Sequence, residues 1–184
     1  MLPSNATLLI IDVQEGLDAP YYGLRCNPEA EDRMAELLHT WRSMGKPVVH
    51  VQHLSTNPKS PLRPDLPGCQ IKAAVKPADG EPLFQKHVNS AFIGTGLETY
   101  LKNAGIDTLV IMGLTTEHCI STSVRMAANL GFKTYVVSDA TAAFDCHDHE
   151  GNYHDAETVH AISLATLNGE FATVLTSKEI VDQI

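Results

Sequence analysis

The sequence predicts an α/β protein: a three-layer α/β/α sandwich on a six-stranded, mainly parallel sheet of Rossmann-like strand order 3-2-1-4-5-6. Two observations carry this. Strand-like apolar runs alternate with stretches of helical spacing along the whole 184 residues, which implies parallel strands joined by right-handed helical crossovers. Several of those runs are apolar without a break, as a strand covered on both faces requires.

The first run, ATLLIIDVQ from Ala6, reads as a buried strand ending at Asp12. Met34, Leu37, Leu38 and Trp41 then recur at helical spacing, giving a helix from Asn27 to Met44 with Asn27 as N-cap, Pro28 at the first helical position and Gly45 as terminator. PVVHVQH is the second strand. The stretch from Leu54 to Pro82, rich in proline, glycine and charge, exceeds the usual connection and is expected to act as a wall or lid. LFQKHV is a short third strand, Gly94–Asn103 a helix stopped by Gly105, and DTLVIMG a wholly apolar fourth strand. A helix from Thr116 to Leu130, closed by Gly131, precedes the fifth strand, KTYVVS. A last helix over Asp155–Asn168 leads to the sixth strand, FATVL. The length suits a single domain over residues 1–184.

A net charge of -9 disfavours nucleic acid and anionic membranes as partners and fits a small neutral or cationic molecule better. Cys26, Cys69, Cys119 and Cys146 are scattered, without a C-x-x-C pair, so neither a zinc ribbon nor a dithiol redox centre is indicated and reduced thiols are expected. No cationic stretch precedes the first apolar run, and Asp12 interrupts it, so neither signal peptide nor membrane span is expected; the setting this predicts is cytoplasmic. The first strand leads into DVQEGLDAP and not into G-x-G-x-x-G, which argues against a dinucleotide-binding module.

In open sheets of this order the ligand site lies beyond the carboxyl ends of the strands where the order reverses, between the first and fourth. Asp12 ends the first strand, Lys86 lies near the end of the third, and Cys119 follows the fourth. The three are expected to share one cleft. A thiol with a reference pKa of about 8.5 needs help to ionise. A helix start and the Lys86 charge are expected to hold Cys119 as thiolate, with Asp12 taking its proton and passing it to a leaving amine. The N–H groups of Thr115 and Cys119 are candidates for the oxyanion of a tetrahedral intermediate.

Asp12-Val13-Gln14, Lys86 followed by Asn89-Ser90-Ala91-Phe92, and Gly113-Leu114-Thr115-Thr116-Glu117-His118-Cys119 together resemble the isochorismatase-like cysteine hydrolases, among them nicotinamidases and N-carbamoylsarcosine amidohydrolases. The resemblance implies an Asp12-Lys86-Cys119 triad, a cis peptide joining Leu114 to Thr115, and a homo-oligomer, dimer or tetramer. Nicotinamidases carry an Asp-x-His metal motif where this chain has Val51 before His53, so no metal and no other cofactor are expected. The implied activity is hydrolysis of a C–N bond in a small amide, imide, urea or lactam through an acyl-cysteine. The alternatives are isochorismatase-type cleavage of a vinyl ether and a non-catalytic binding protein on the same fold. Gln14, His53, Asn89, Phe92, Leu114 and His118 are the candidate substrate contacts. Arg63 is open between a substrate carboxylate and solvent, and His147, His149 and His154 match no common zinc spacing, which leaves them as a hydrated loop.

Overall fold

The computed structural model describes residues 1–184. Its central sheet contains β1 (Thr7–Ile11), β2 (Val48–His53), β3 (Leu83–Lys86), β4 (Thr108–Leu114), β5 (Lys133–Ala142) and β8 (Thr173–Leu175). Their order is β3-β2-β1-β4-β5-β8 and every neighbouring pair is parallel. This is the spatial order expected from the sequence. The difference in numbering comes from two extra two-residue strands, β6 (Cys146–His147) and β7 (Tyr153–His154), which form a separate antiparallel hairpin where a polar loop was expected.

The uninterrupted apolar runs are explained by burial on both sides. Along β1, Leu8 and Ile10 enter one hydrophobic cluster while Leu9 and Ile11 enter the other; β4 splits likewise, with Val110, Met112 and Leu114 against Leu109 and Ile111. On the first face lie α1 (Ala30–Ser43), through Met34, Leu37, Leu38 and Trp41, and the short α5 (Ser177–Val181), through Ile180. On the second lie α2 (Leu97–Asn103), α3 (Ser121–Asn129) and the end of α4 (Ala156–Leu167). No helix is long and apolar enough to cross a membrane.

Local differences from the sequence reading have identifiable causes. Asn27 does not cap α1, whose N-cap is Glu29. Its backbone is left-handed (φ 45°) and its Nδ2 donates to the carbonyls of Ser138 and Thr141, tying the α1 entry to the end of β5. Helix α2 begins three residues late because Gly94 and Gly96 both take positive φ. Helix α5 was missed although its signal is in the sequence: Thr176 and Glu179 form a capping box.

The long loop after β2 is pinned rather than free. Gln14 Nε2 donates to the carbonyls of His53 and Cys69 at 2.9 and 2.8 Å, and its Oε1 accepts from His53 N. Lys72 Nζ reaches Glu31 Oε1 at 2.6 Å, and Arg25 grips the same carboxylate in a two-pronged pair. Burial alone raises the Glu31 carboxyl, but these two cations outweigh it and hold the pKa at about 2.

At Gly113 the β4–β5 register slips, and the residue has φ 129° with an imagined Cβ 2.0 Å from the Ile11 carbonyl oxygen. No side chain fits there, because the obstruction is β1 backbone. Gly113→Ala is therefore expected to destabilise the fold by roughly 3 kcal/mol or more, among the largest losses a single substitution produces. Chemical denaturation gives the value; a loss below about 1 kcal/mol contradicts the close approach.

Candidate active site

Three strand ends build the site. Asp12, the residue after β1, is left-handed (φ 54°), a conformation uncommon outside glycine and asparagine, and it bends the carboxylate inward while its N–H still donates to Val51 O. Lys86 closes β3 and pairs in register with His53 at the end of β2. Its side chain, wholly buried, runs past His53 so that Nζ lies 2.5 Å from Asp12 Oδ2, 3.0 Å from His53 Nδ1 and 3.2 Å from Cys119 Sγ, and donates to Val88 O at 3.1 Å. The ammonium is thus the hub of the site.

Cys119 sits in a π turn, Thr116–Ile120, that precedes α3 where a continuous helix was expected. The amides of His118 and Ile120 both donate to Thr115 O, while that of Cys119 between them does not. Such π turns concentrate at functional positions because they redirect one residue without ending the helix. The Leu114–Thr115 peptide is cis, and Thr115 N–H donates to no group of the protein. Behind the turn, His160 anchors it: Nδ1 is 2.9 Å from Thr116 Oγ1, and Nε2 is 3.1 Å from Ser138 O.

The electrostatics correct one expectation. Cys119 is not held as a resting thiolate: burial pushes its pKa far above the usual thiol value, and the charge of Asp12 pushes it further, outweighing Lys86. The cause is geometric. Lys86 makes its short ion pair with Asp12, not with the sulfur. Burial also raises the Asp12 carboxyl, against the opposing pull of Lys86, which makes it a stronger base than an exposed aspartate. The resting state is a thiol beside an Asp12–Lys86 ion pair. Burial and the Lys86 charge hold His53 at a pKa of about 4, neutral at neutral pH.

Asp12, His53 and Cys119 present ligand-type atoms within 4.8 Å of one another, a spacing compatible with a metal ion. Lys86 Nζ already serves all three as their shared cation. A metal at their centre would have to displace it, so the donor set does not fit a resident ion.

Above this cluster opens a cavity of about 540 Å³. Asp12, His53, Asn89, Leu114, Thr115, His118 and Cys119 all line it. Two of the expected substrate contacts, Gln14 and Phe92, lie outside its lining. Gln14 is fully buried behind the wall, with its amide committed to His53 and Cys69. Phe92 is packed in the core, stacked on Phe132 at 5.9 Å. Arg63 faces outward, paired with Asp65 and Pro58 O. His147, His149 and His154 do not converge; His154 bonds Asp148 at 3.2 Å and His149 is exposed. Sequence reasoning missed Tyr22, Phe144 and Glu117 as lining. Only Glu117 carried a signal, its place two residues before Cys119.

An Isochorismatase domain model matches residues 6–179. The isochorismatase family protein YrdC of Bacillus subtilis (strain 168) is 50% identical over 181 residues, covering 98% of this chain and 97% of that one. The maleamate amidohydrolase of Pseudomonas putida is 31% identical over 167 residues, 82% of this chain and 78% of its own. A solved hydrolase of the isochorismatase family from Chromobacterium violaceum superposes with a TM-score of 0.95 at 42% identity, covering 99% of this chain and 94% of that one. The chain belongs to the isochorismatase family of hydrolases.

Proposed function

We propose that this hydrolase cleaves the C–N bond of a small amide, imide, urea or lactam through a covalent acyl-cysteine, without a metal. One observation carries the reading: a thiol and a buried carboxylate held against the same ammonium, and within 4.8 Å of each other, beneath a pocket. Cys119 Sγ attacks the carbonyl carbon while its proton passes to Asp12. The oxyanion that forms meets the N–H groups of Thr115 and Cys119, each good donor contributing about 3–4 kcal/mol to the transition state. Asp12 returns the proton to the nitrogen, the C–N bond breaks and the amine leaves. Water then gives its proton to Asp12 and its hydroxyl to the thioester carbon, and the released thiolate recovers the proton. Lys86 keeps a positive charge beside whichever of Asp12 and Cys119 is anionic.

The test is amine or ammonia release across a panel of small amides, imides, ureas and lactams, with intact-mass detection of an adduct on Cys119 after acid quench. Release with an adduct of the acyl mass is the expected result. Hydrolysis of a vinyl ether with no C–N substrate turned over would overturn it.

A further inference from the structure

The carboxylates of the pocket lining face no lining lysine or arginine. Lys86, beneath, is matched by Asp12, which leaves Glu117 and Asp145 as the uncompensated lining charges. Glu117 lies two residues from the nucleophile with its side chain 14% exposed. Its Oε1 takes a long 3.4 Å bond from Phe144 N and lies 3.5 Å from His118 Nδ1, while Oε2 is buried with no hydrogen-bond partner. A buried carboxylate oxygen without a donor costs free energy unless something supplies one. Phe144, which lends Glu117 its amide, also stacks with Tyr22 at 5.3 Å, and both rings line the same cavity. Aromatic surface beside a carboxylate is a setting that receives an ammonium group.

Resting on the amidohydrolase reading above, we propose that Glu117 is the specificity-determining residue of the pocket and that the substrate carries an ammonium group on its acyl portion, which the Glu117 carboxylate accepts. Carboxylate-bearing amides are disfavoured, because nothing in the lining compensates their charge. Burial raises the Glu117 carboxyl, opposed chiefly by its own amide and by His118, and a cationic ligand adds to that opposition.

The experiment measures binding apart from turnover. Cys119→Ala protein is titrated calorimetrically with three primary amides of matched length: 4-aminobutanamide, pentanamide and succinamate. The ammonium amide is expected to bind at least about tenfold more tightly than succinamate, with pentanamide between, and Glu117→Gln in the same background is expected to bring that ratio to about unity. Glu117→Asp, which keeps the charge, should retain the sign of the preference and serves if the glutamine variant does not fold. A preference below about threefold, one that survives Glu117→Gln, or no binding of 4-aminobutanamide up to about 10 mM overturns the proposal. Hydrolysis by the Cys119 enzyme is read separately. Turnover without an ammonium preference sinks the role of Glu117 and spares the amidohydrolase; an ammonium preference without turnover does the reverse.

Discussion

Cys119→Ala is expected to lower turnover of any C–N substrate by on the order of 10⁵-fold or more, to the level that binding and the oxyanion donors alone provide. The loss is large because, in the proposed mechanism, the sulfur forms the bond that replaces C–N. The side chains around the sulfur are committed to one another: Asp12 is paired with Lys86, and His53 Nδ1 faces the same ammonium. The fold should survive, since the Asp12–Lys86 pair at 2.5 Å does not pass through the sulfur. Melting temperature and substrate binding are measured beside activity, so that an inactive but folded, binding-competent protein is distinguished from a damaged one. Activity within about 100-fold of wild type would remove the acyl-cysteine from the mechanism.

The resting thiol changes what reactivity should look like. A cysteine stored as thiolate alkylates quickly at mildly acidic pH, whereas a buried thiol ionises only when its proton has somewhere to go. In the proposed mechanism that acceptor is Asp12, and the transfer is completed by the carbonyl that the sulfur attacks. Slow labelling of Cys119 by iodoacetamide below pH 8 is thus compatible with a competent enzyme. It follows from burial and from the Asp12 charge, the two leading reasons that the thiol is raised.

The sheet was legible because its residues state their surroundings directly: β1 and β4 are apolar on both faces, and two-sided cover leaves one architecture. Asp12, Lys86 and Cys119 were legible because each ends or follows a strand, and topology brings those ends together. The π turn, the left-handed Asp12 and the pinning of Gln14 were not, because each depends on what a distant segment places nearby. Gln14 looked like a substrate contact because an extended chain puts it on the same side as Asp12, yet the left-handed Asp12 breaks that alternation and Gln14 is committed to His53 and Cys69. Phe92 likewise lies in the core and off the cavity lining, since an aromatic near a motif residue is as easily core. Glu117 was hidden in plain view, since a glutamate in a first turn ordinarily reads as helix-dipole compensation.

Lys86→Met is expected to cost stability as well as activity, and the stability loss should depend on pH with a definite sign. Removing one partner of a buried ion pair leaves the other uncompensated, at about 3–5 kcal/mol. Asp12, 1% exposed, would lose its counter-charge and retain its burial. Its pKa is already raised above 3.8 in the folded protein, with burial as the leading cause and Lys86 opposing, and the substitution removes that opposition. A carboxyl whose folded pKa exceeds its unfolded one binds more protons in the native state between the two values. Stability therefore falls as pH rises through that window and the loss is complete above the folded pKa. The variant should be markedly weaker than wild type at pH 8, with the gap narrowing towards pH 5 as Asp12 takes up a proton. Urea unfolding of both proteins at the two pH values measures this, and Asp12→Asn combined with Lys86→Met should recover most of the loss by removing the orphaned charge. A deficit that is equal at both pH values, or larger at pH 5, would show that Lys86 supports the fold by packing alone and that Asp12 does not depend on it for its charge.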